Sequence, residues 1–179
     1  YNFLMQKTKK IIFFLIIFLF SINFAKAETK VSYINIDYVL SNTLVGKSLL
    51  SHFQNEEKLK IDKFKASDEE FKNKEKKILA KKNLISKDEL DRELKLLQIE
   101  FNKYRKSKIN EIEELKKKRN SNILDFLELI NPIIEKYMAD NSIYMLIDKK
   151  NVFIANKNYD ITNNLVELID NQIKAIEIK

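Results

Sequence analysis

Hydrophobic positions change spacing several times along the chain, and each change marks an element. Residues 11–20, IIFFLIIFLF, form an unbroken apolar run. KVSYINIDYVL (30–40) instead mixes Val31, Tyr33, Ile34 and Ile36 with polar residues and predicts a strand at about 31–36. Ser41, Asn42 or Thr43 can then cap a helix. From there to about 82 the large apolar residues thin to Leu50, Phe53, Ile61, Phe64, Phe71 and Ile78, the last three seven apart. One apolar residue per heptad is half of what a coiled-coil seam requires. After Ser86 the pattern is denser: Leu90, Leu94, Leu97, Phe101 and Tyr104 are spaced 4, 3, 4, 3, and Ile109, Ile112 and Leu115 continue slightly out of phase. Such spacing predicts a helix with one apolar stripe facing a partner.

The chain's only glycine, Gly46, and only proline, Pro132, bracket 85 residues without either. Within them Ser86 precedes Glu89 by three, the pattern of a capping box, so a helix starts where one unbroken helix would still be running. A turn at 83–86 converts the two periodic segments into an antiparallel helical hairpin. Its arms hold about 36 and about 40 residues and reach roughly 55–60 Å at 1.5 Å per residue.

ILDFLELINPIIEKYMADN (123–141) is more apolar and predicts the point where the second arm enters a packed body, with a kink or break at Pro132. SIYMLID (142–148) and NVFIAN (151–156), joined by Lys149-Lys150, predict a β-hairpin. Residues 159–178 predict a cap at Asp160 or Thr162 and an amphipathic helix through Leu165, Val166, Leu168, Ile169, Ile173 and Ile176. The expected fold class is α+β: a small β-body at 28–46 and 126–179, with a helical-hairpin arm at 47–125 projecting from it. Outside the arm the chain offers few residues and no disulfide, so the body should be completed by self-association. Val31, Tyr33, Ile34, Ile36, Tyr144, Leu146, Val152 and Ile154 are the candidate contacts for that assembly.

Lys7, Lys9 and Lys10, the apolar run, and Ala25-Lys26-Ala27 have the layout of a secretory signal peptide over 1–27, with a mature start near Glu28. The formal charge of +7 falls to +3 without it, because the segment holds four lysines and no acids. Residues 47–125 carry 22 Lys and Arg against 16 Asp and Glu, whereas the rest of the mature chain carries 7 against 10. The arm is basic and the body acidic. The chain has no cysteine and one histidine, His52, which excludes thiol chemistry and a His-rich metal cluster. A single glycine excludes a Gly-rich phosphate loop, so ATP-driven work is not expected. No polar cluster has catalytic spacing, and neither an enzyme nor a cofactor is expected.

VSYINIDYVLSNTLVGKSLL resembles the opening of the Skp/OmpH family of periplasmic chaperones, with Ile36, Asp37, Leu40, Gly46 and Lys47 in the matching positions. SIYMLIDKKNVFIANKNYDITNNLVELI resembles that family's end, through Asp160-Ile161-Thr162 before a final helix. The resemblance spans the mature chain, with its specific signals at the two ends. It implies a periplasmic homotrimer with a shared β-body and three arms around a cavity, holding unfolded outer-membrane β-barrel proteins without ATP. Lipopolysaccharide or an anionic membrane surface is a further candidate partner, although no distinctive motif here corresponds to a lipopolysaccharide site. Export argues against nucleic acid, and the arm lacks a strong aromatic-basic interleaving.

For client contact the candidates are Phe64, Phe71 and Ile78 on the first arm and Lys81, Lys82, Leu84, Ile85 and Lys87 at the tip. Each has a plainer reading: the first three as packing against the second arm, the tip as a solvated turn. Lys116–Arg119 in ELKKKRN reads first as a solvated face, and His52 as a surface or packing residue. A non-enzymatic envelope spacer or membrane-tethered coiled-coil protein is the alternative function, favoured by an uncleaved signal and rigid arms.

Overall fold

The structure, a computed structural model, describes residues 30–178. The predicted signal peptide lies outside the described residues. In chain order the elements are β1 (Lys30–Ile34), α1 (Ile36–Asn42), α2 (Leu44–Ala80), α3 (Lys87–Asp140), β2 (Ile143–Asp148), 3-10 turns at Lys149–Asn151 and Lys157–Tyr159, and α4 (Thr162–Gln172). β1 pairs with β2 in a two-stranded sheet, and Tyr33 adds a single parallel bridge to Asp160. The class is α+β, mostly helical, with α2 and α3 forming the long hairpin.

Ser86 caps α3 as its spacing predicts, accepting from the Glu89 N–H at 3.2 Å, with Asp88 and Glu89 in the positively polarised first turn. The turn begins two residues earlier than expected. α2 ends at Ala80, and the Ile85 N–H donates to the Lys81 carbonyl at 3.2 Å.

The body is built where both ends of the hairpin meet the chain termini. Phe126 and Ile130 of α3, Val39 of α1, Leu49 of α2 and Leu165 and Ile169 of α4 are fully buried together. Ile34 and Ile143 bring the two strands onto the same core. The α1–α2 corner is sharp and depends on Thr43, which ends one helix and caps the next. Its hydroxyl donates to the Val39 carbonyl at 2.9 Å and accepts from the Gly46 N–H at 3.2 Å. The Leu44 N–H donates to the Asp170 carboxylate at 2.7 Å, so an acid of α4 occupies the donor-rich start of α2. Gly46 is required here by close approach: a Cβ on it would lie 1.9 Å from the Leu40 carbonyl oxygen.

The final helix is shorter than expected, since α4 ends at Gln172, and Ile173 and Ile176 pack on the core from irregular chain. Three further expectations are corrected. Residues 151–156 form no strand: Val152 is half-buried in irregular chain, and Phe153 and Ile154 project into solvent. Lys149-Lys150 lacks the Asn-Gly or Asp-Gly type of pair that closes a two-residue hairpin. Instead the Asp148 carboxylate accepts from the Lys150 N–H at 3.0 Å and turns the chain into a 3-10 helix. Second, Pro132 ends nothing. α3 runs through it for 54 residues, with Ile130, Ile133 and Ile134 buried on both sides of the proline. An interior proline costs about 3 kcal/mol, which core packing of those three isoleucines offsets at about 1.5–3 kcal/mol each. Third, the expected strand to residue 36 is cut at Ile34. Asn35 caps α1 by accepting from the Tyr38 N–H at 3.0 Å.

Asp160 and Thr162 act together at the start of α4. The Asp160 carboxylate accepts from the Thr162 N–H at 3.0 Å and from its hydroxyl, while that hydroxyl accepts from the Asn35 N–H at 2.9 Å. Burial works to raise the Asp160 carboxyl, yet these bonds and Lys149, 3.2 Å away, hold it below the usual range. The DIT sequence thus ties α4 to the end of β1.

Candidate functional site

The arm is the part of the chain that is not used to build the body. Its two helices are joined by cross-helix ion pairs that step along in register: Lys81–Glu93 at 3.0 Å, Lys74–Glu100 at 3.6 Å, Lys63–Glu111 at 3.1 Å and Lys118–Glu56 at 3.8 Å. Between the first and last of these, the position on the first arm falls from 81, the cap of α2, to 56 and that on α3 rises from 93 to 118. The pairing holds without a slip.

Between the charges lies a sparse apolar seam. Phe71 meets Phe101 edge-on at 5.3 Å between ring centres and Tyr104 at 5.1 Å. Below this cluster the stripe turns polar. Ile109 and Ile112, expected to extend it, are 54% and 39% exposed. The 4-3 spacing continues instead through Lys108 and Glu111 to Leu115. The Tyr104 hydroxyl is shared between the Phe64 carbonyl at 3.0 Å and the Asp68 carboxylate at 2.7 Å, and Lys108 donates to the other Asp68 oxygen at 2.8 Å. The Lys108 ammonium also sits 5.3 Å from the centre of the Phe64 ring. Hydrogen bonds from Lys108 and then Tyr104 hold the Asp68 carboxyl below its ordinary range. Lys63 and Lys60 do the same to Glu111. The mid-arm is therefore fastened by half-exposed polar contacts, each of which is individually weak and screened by salt.

The named arm residues divide accordingly. Phe64 is buried in the seam, and Phe71 and Ile78 are half-buried along the same line. At the tip, Lys81 pairs with Glu93 and Ile85 is half-buried, while Lys82 and Lys87 are exposed and Leu84 is 82% exposed. The structure adds residues that the stripe did not single out: Leu59, Leu79, Leu96 and Ile99 point into solvent among lysines and glutamates. Their signal was their phase. Leu96 and Ile99 fall off the row of Leu94, Leu97 and Phe101, because helical positions advance by about 100° per residue.

The candidate assembly residues also divide. Tyr33 and Ile34 are buried in the chain's own core, and Ile36, Leu146 and Val152 are half-buried. Val31, Tyr144 and Ile154 are exposed, joined by Met145 and Phe153. His52, partly exposed, meets the Phe53 ring edge-on and lies 3.7 Å from Glu56. Among the described residues no helix is long and apolar enough to cross a membrane, and no group of three or more His, Cys, Asp or Glu could hold a metal ion.

A family model described as outer membrane protein (OmpH-like) matches residues 30–169. The fold is similar to the crystal structure of an OmpH-like protein of Caulobacter crescentus CB15, assigned as an outer membrane chaperone. That similarity has a TM-score of 0.73 at 21% sequence identity, over 82% of this chain and 87% of that one. Comparison with curated proteins gave no match.

Proposed function

The chain belongs to the OmpH-like family, and from that premise we propose that it is an ATP-independent periplasmic holdase. In this reading it binds unfolded outer-membrane β-barrel proteins and keeps them from aggregating in transit. It is non-enzymatic and needs no cofactor. The observation that carries the reading is the arm itself: a basic helical hairpin with isolated large apolar side chains directed outward, Leu59, Leu84 and Leu96 each more than half exposed. Isolated exposed leucines stabilise no fold, but they can each grip an unfolded chain weakly. Many such contacts sum to useful affinity while letting the client leave. The arm's positive surplus raises encounter rates with acidic clients.

Self-association as a homotrimer belongs to the same proposal. Tyr144, Met145, Phe153 and Ile154 leave an apolar surface on the body, of the kind that marks protein contacts. Export by a cleaved signal peptide supplies the compartment.

The test titrates the chain as exported into a β-barrel protein diluted from denaturant, without nucleotide, and follows light scattering. Suppression that saturates near three chains per client is the expected result. Aggregation as fast as in its absence, at severalfold excess, would leave the envelope spacer as the better reading.

A further inference from the structure

The packing of the arm's helices leaves several hollows open. At the root of the arm a cleft of about 270 Å³ opens between α2 and α3. Phe53, Phe64 and Leu115 line its covered part, and Ile61 and Ile112, 43% and 39% exposed, line its open part. Lys116, Arg119, Lys60 and Glu57 complete the lining. Lys60 is engaged with Glu111 at 3.3 Å. Lys116 and Arg119 form no ion pair among the described residues, and neither does Glu57. The rim thus presents two uncommitted cations against one uncommitted carboxylate. The hollow on the other flank of the seam is also lined by cations and by Leu115, but there Lys60, Lys117 and Lys118 are paired with Glu111, Glu114 and Glu56. Apolar depth and free positive charge coincide on one flank.

We infer that this cleft takes one large apolar side chain of an extended polypeptide, with an acidic residue two positions away held by Lys116 and Arg119. The choice of polypeptide rests on the holdase reading. A volume of about 270 Å³ is roomy enough for one large side chain. In an extended chain residues two apart share a face and lie about 6.6 Å apart. Lys116 and Arg119, three residues apart, are neighbours on one helix face, about 4.5 Å along the axis. A carboxylate beside the inserted side chain can therefore meet both cations. This gives the arm a defined pocket in addition to its scattered outward leucines, and a preference for segments that combine an apolar residue with a nearby acid.

The experiment measures fluorescence anisotropy of a short fluorescein-labelled Gly-Ser peptide with a central Phe-Ser-Asp, titrated with the chain as exported. Phe-Ser-Asn and Ser-Ser-Asp peptides serve as ligand controls. Replacing both cations, Lys116→Gln with Arg119→Gln, should weaken the Asp peptide about fivefold or more and leave the Asn peptide unchanged. Ile112→Asn should weaken both Phe peptides, and Leu124→Asn, at an exposed position outside the cleft's lining, neither. Circular dichroism checks that each variant folds, and Ile61→Asn replaces Ile112→Asn if that one does not. Equal affinity for all three peptides, or equal loss in Leu124→Asn, overturns the inference. Loss of binding to phosphatidylglycerol vesicles in the cation variant, with peptide affinity unchanged, overturns it in favour of a lipid. Aggregation suppression measured alongside separates the two readings. Failed peptide binding with suppression intact removes the cleft alone, whereas selective peptide binding without suppression removes the holdase and keeps the cleft.

Discussion

Replacing Gly46 with alanine tests how the arm is joined to the body. The added methyl would sit 1.9 Å from the Leu40 carbonyl oxygen, 2.7 Å from its carbon and 2.7 Å from the Thr43 hydroxyl oxygen. Two of those atoms are backbone and cannot swing aside as a side-chain tip could. Relief requires the end of α1 to move away from the first turn of α2. That movement is opposed by the two Thr43 hydroxyl bonds and by Val45 and Leu49, which are fully buried on the α2 side. Overpacking of this kind costs typically 1–3 kcal/mol, occasionally more, and rigid backbone atoms place it at the upper end. Alanine's better helix propensity returns up to about 1 kcal/mol. The expected net loss is about 2 kcal/mol or more, or roughly 4–8 °C in Tm for a chain of this size. Urea and thermal unfolding followed by circular dichroism, at one fixed protein concentration because assembly would contribute, measure it. A midpoint unchanged or raised would refute the reasoning, since the corner would then open freely and glycine would be there for no packing reason.

Further outcomes follow from the arm and from α3. Tyr104→Phe keeps the ring cluster with Phe71 and Phe101 but removes the hydroxyl from Asp68 and the Phe64 carbonyl, so it should cost about 1 kcal/mol. Hydrogen exchange should rise in the mid-arm and stay unchanged in the body. Acidification should loosen the same region. The Asp68 and Glu111 carboxyls are depressed in the folded arm, so their contribution is present above the ordinary carboxylate pKa and is lost as pH falls through and below that range. At the alkaline end the Lys108 ammonium is raised, chiefly by its hydrogen bond to Asp68, so its contribution is lost as pH rises through its folded value. Exchange in the mid-arm, followed across pH after correction for intrinsic rates, should be slowest between those limits; no change on acidification would contradict the pairing. Pro132→Ala should stabilise the chain by up to about 3 kcal/mol, because it returns an N–H to the Glu128 carbonyl in a helix that already runs through the site. A lower Tm would mean that the proline is needed for its shape.

The hairpin was legible in the sequence because its signals are local. A cap three residues before a glutamate, a 4-3 apolar row and the absence of glycine and proline from 47 to 131 act through the backbone of their own segment. The polarity of the chain, basic arm and acidic body, is likewise a matter of counting. Which apolar residues face inward was only partly legible. The row broke after Tyr104, where Lys108 and Glu111 took the seam and left Ile109 and Ile112 outside. That choice depends on what α2 presents opposite, Asp68 and the Lys60–Lys63 pair, forty to fifty residues away along the chain.

Tertiary structure alone decided the rest. NVFIAN has strong strand formers, but a strand exists only with a ladder partner, and the Asp148 cap turned the chain before it could form one. Pro132 sits inside a continuous helix because the buried isoleucines around it outweigh a local penalty. Gly46 was visible as a lone glycine, yet the contact that demands it, the Leu40 carbonyl, comes from the folding of one helix end against the next. The cleft between Phe53, Phe64 and Leu115 has no local signature at all. It is formed by the spacing of two helices whose shared seam changes from apolar to charged. Local propensity set the elements of this chain, and long-range packing and pairing set which of their faces are left free to bind.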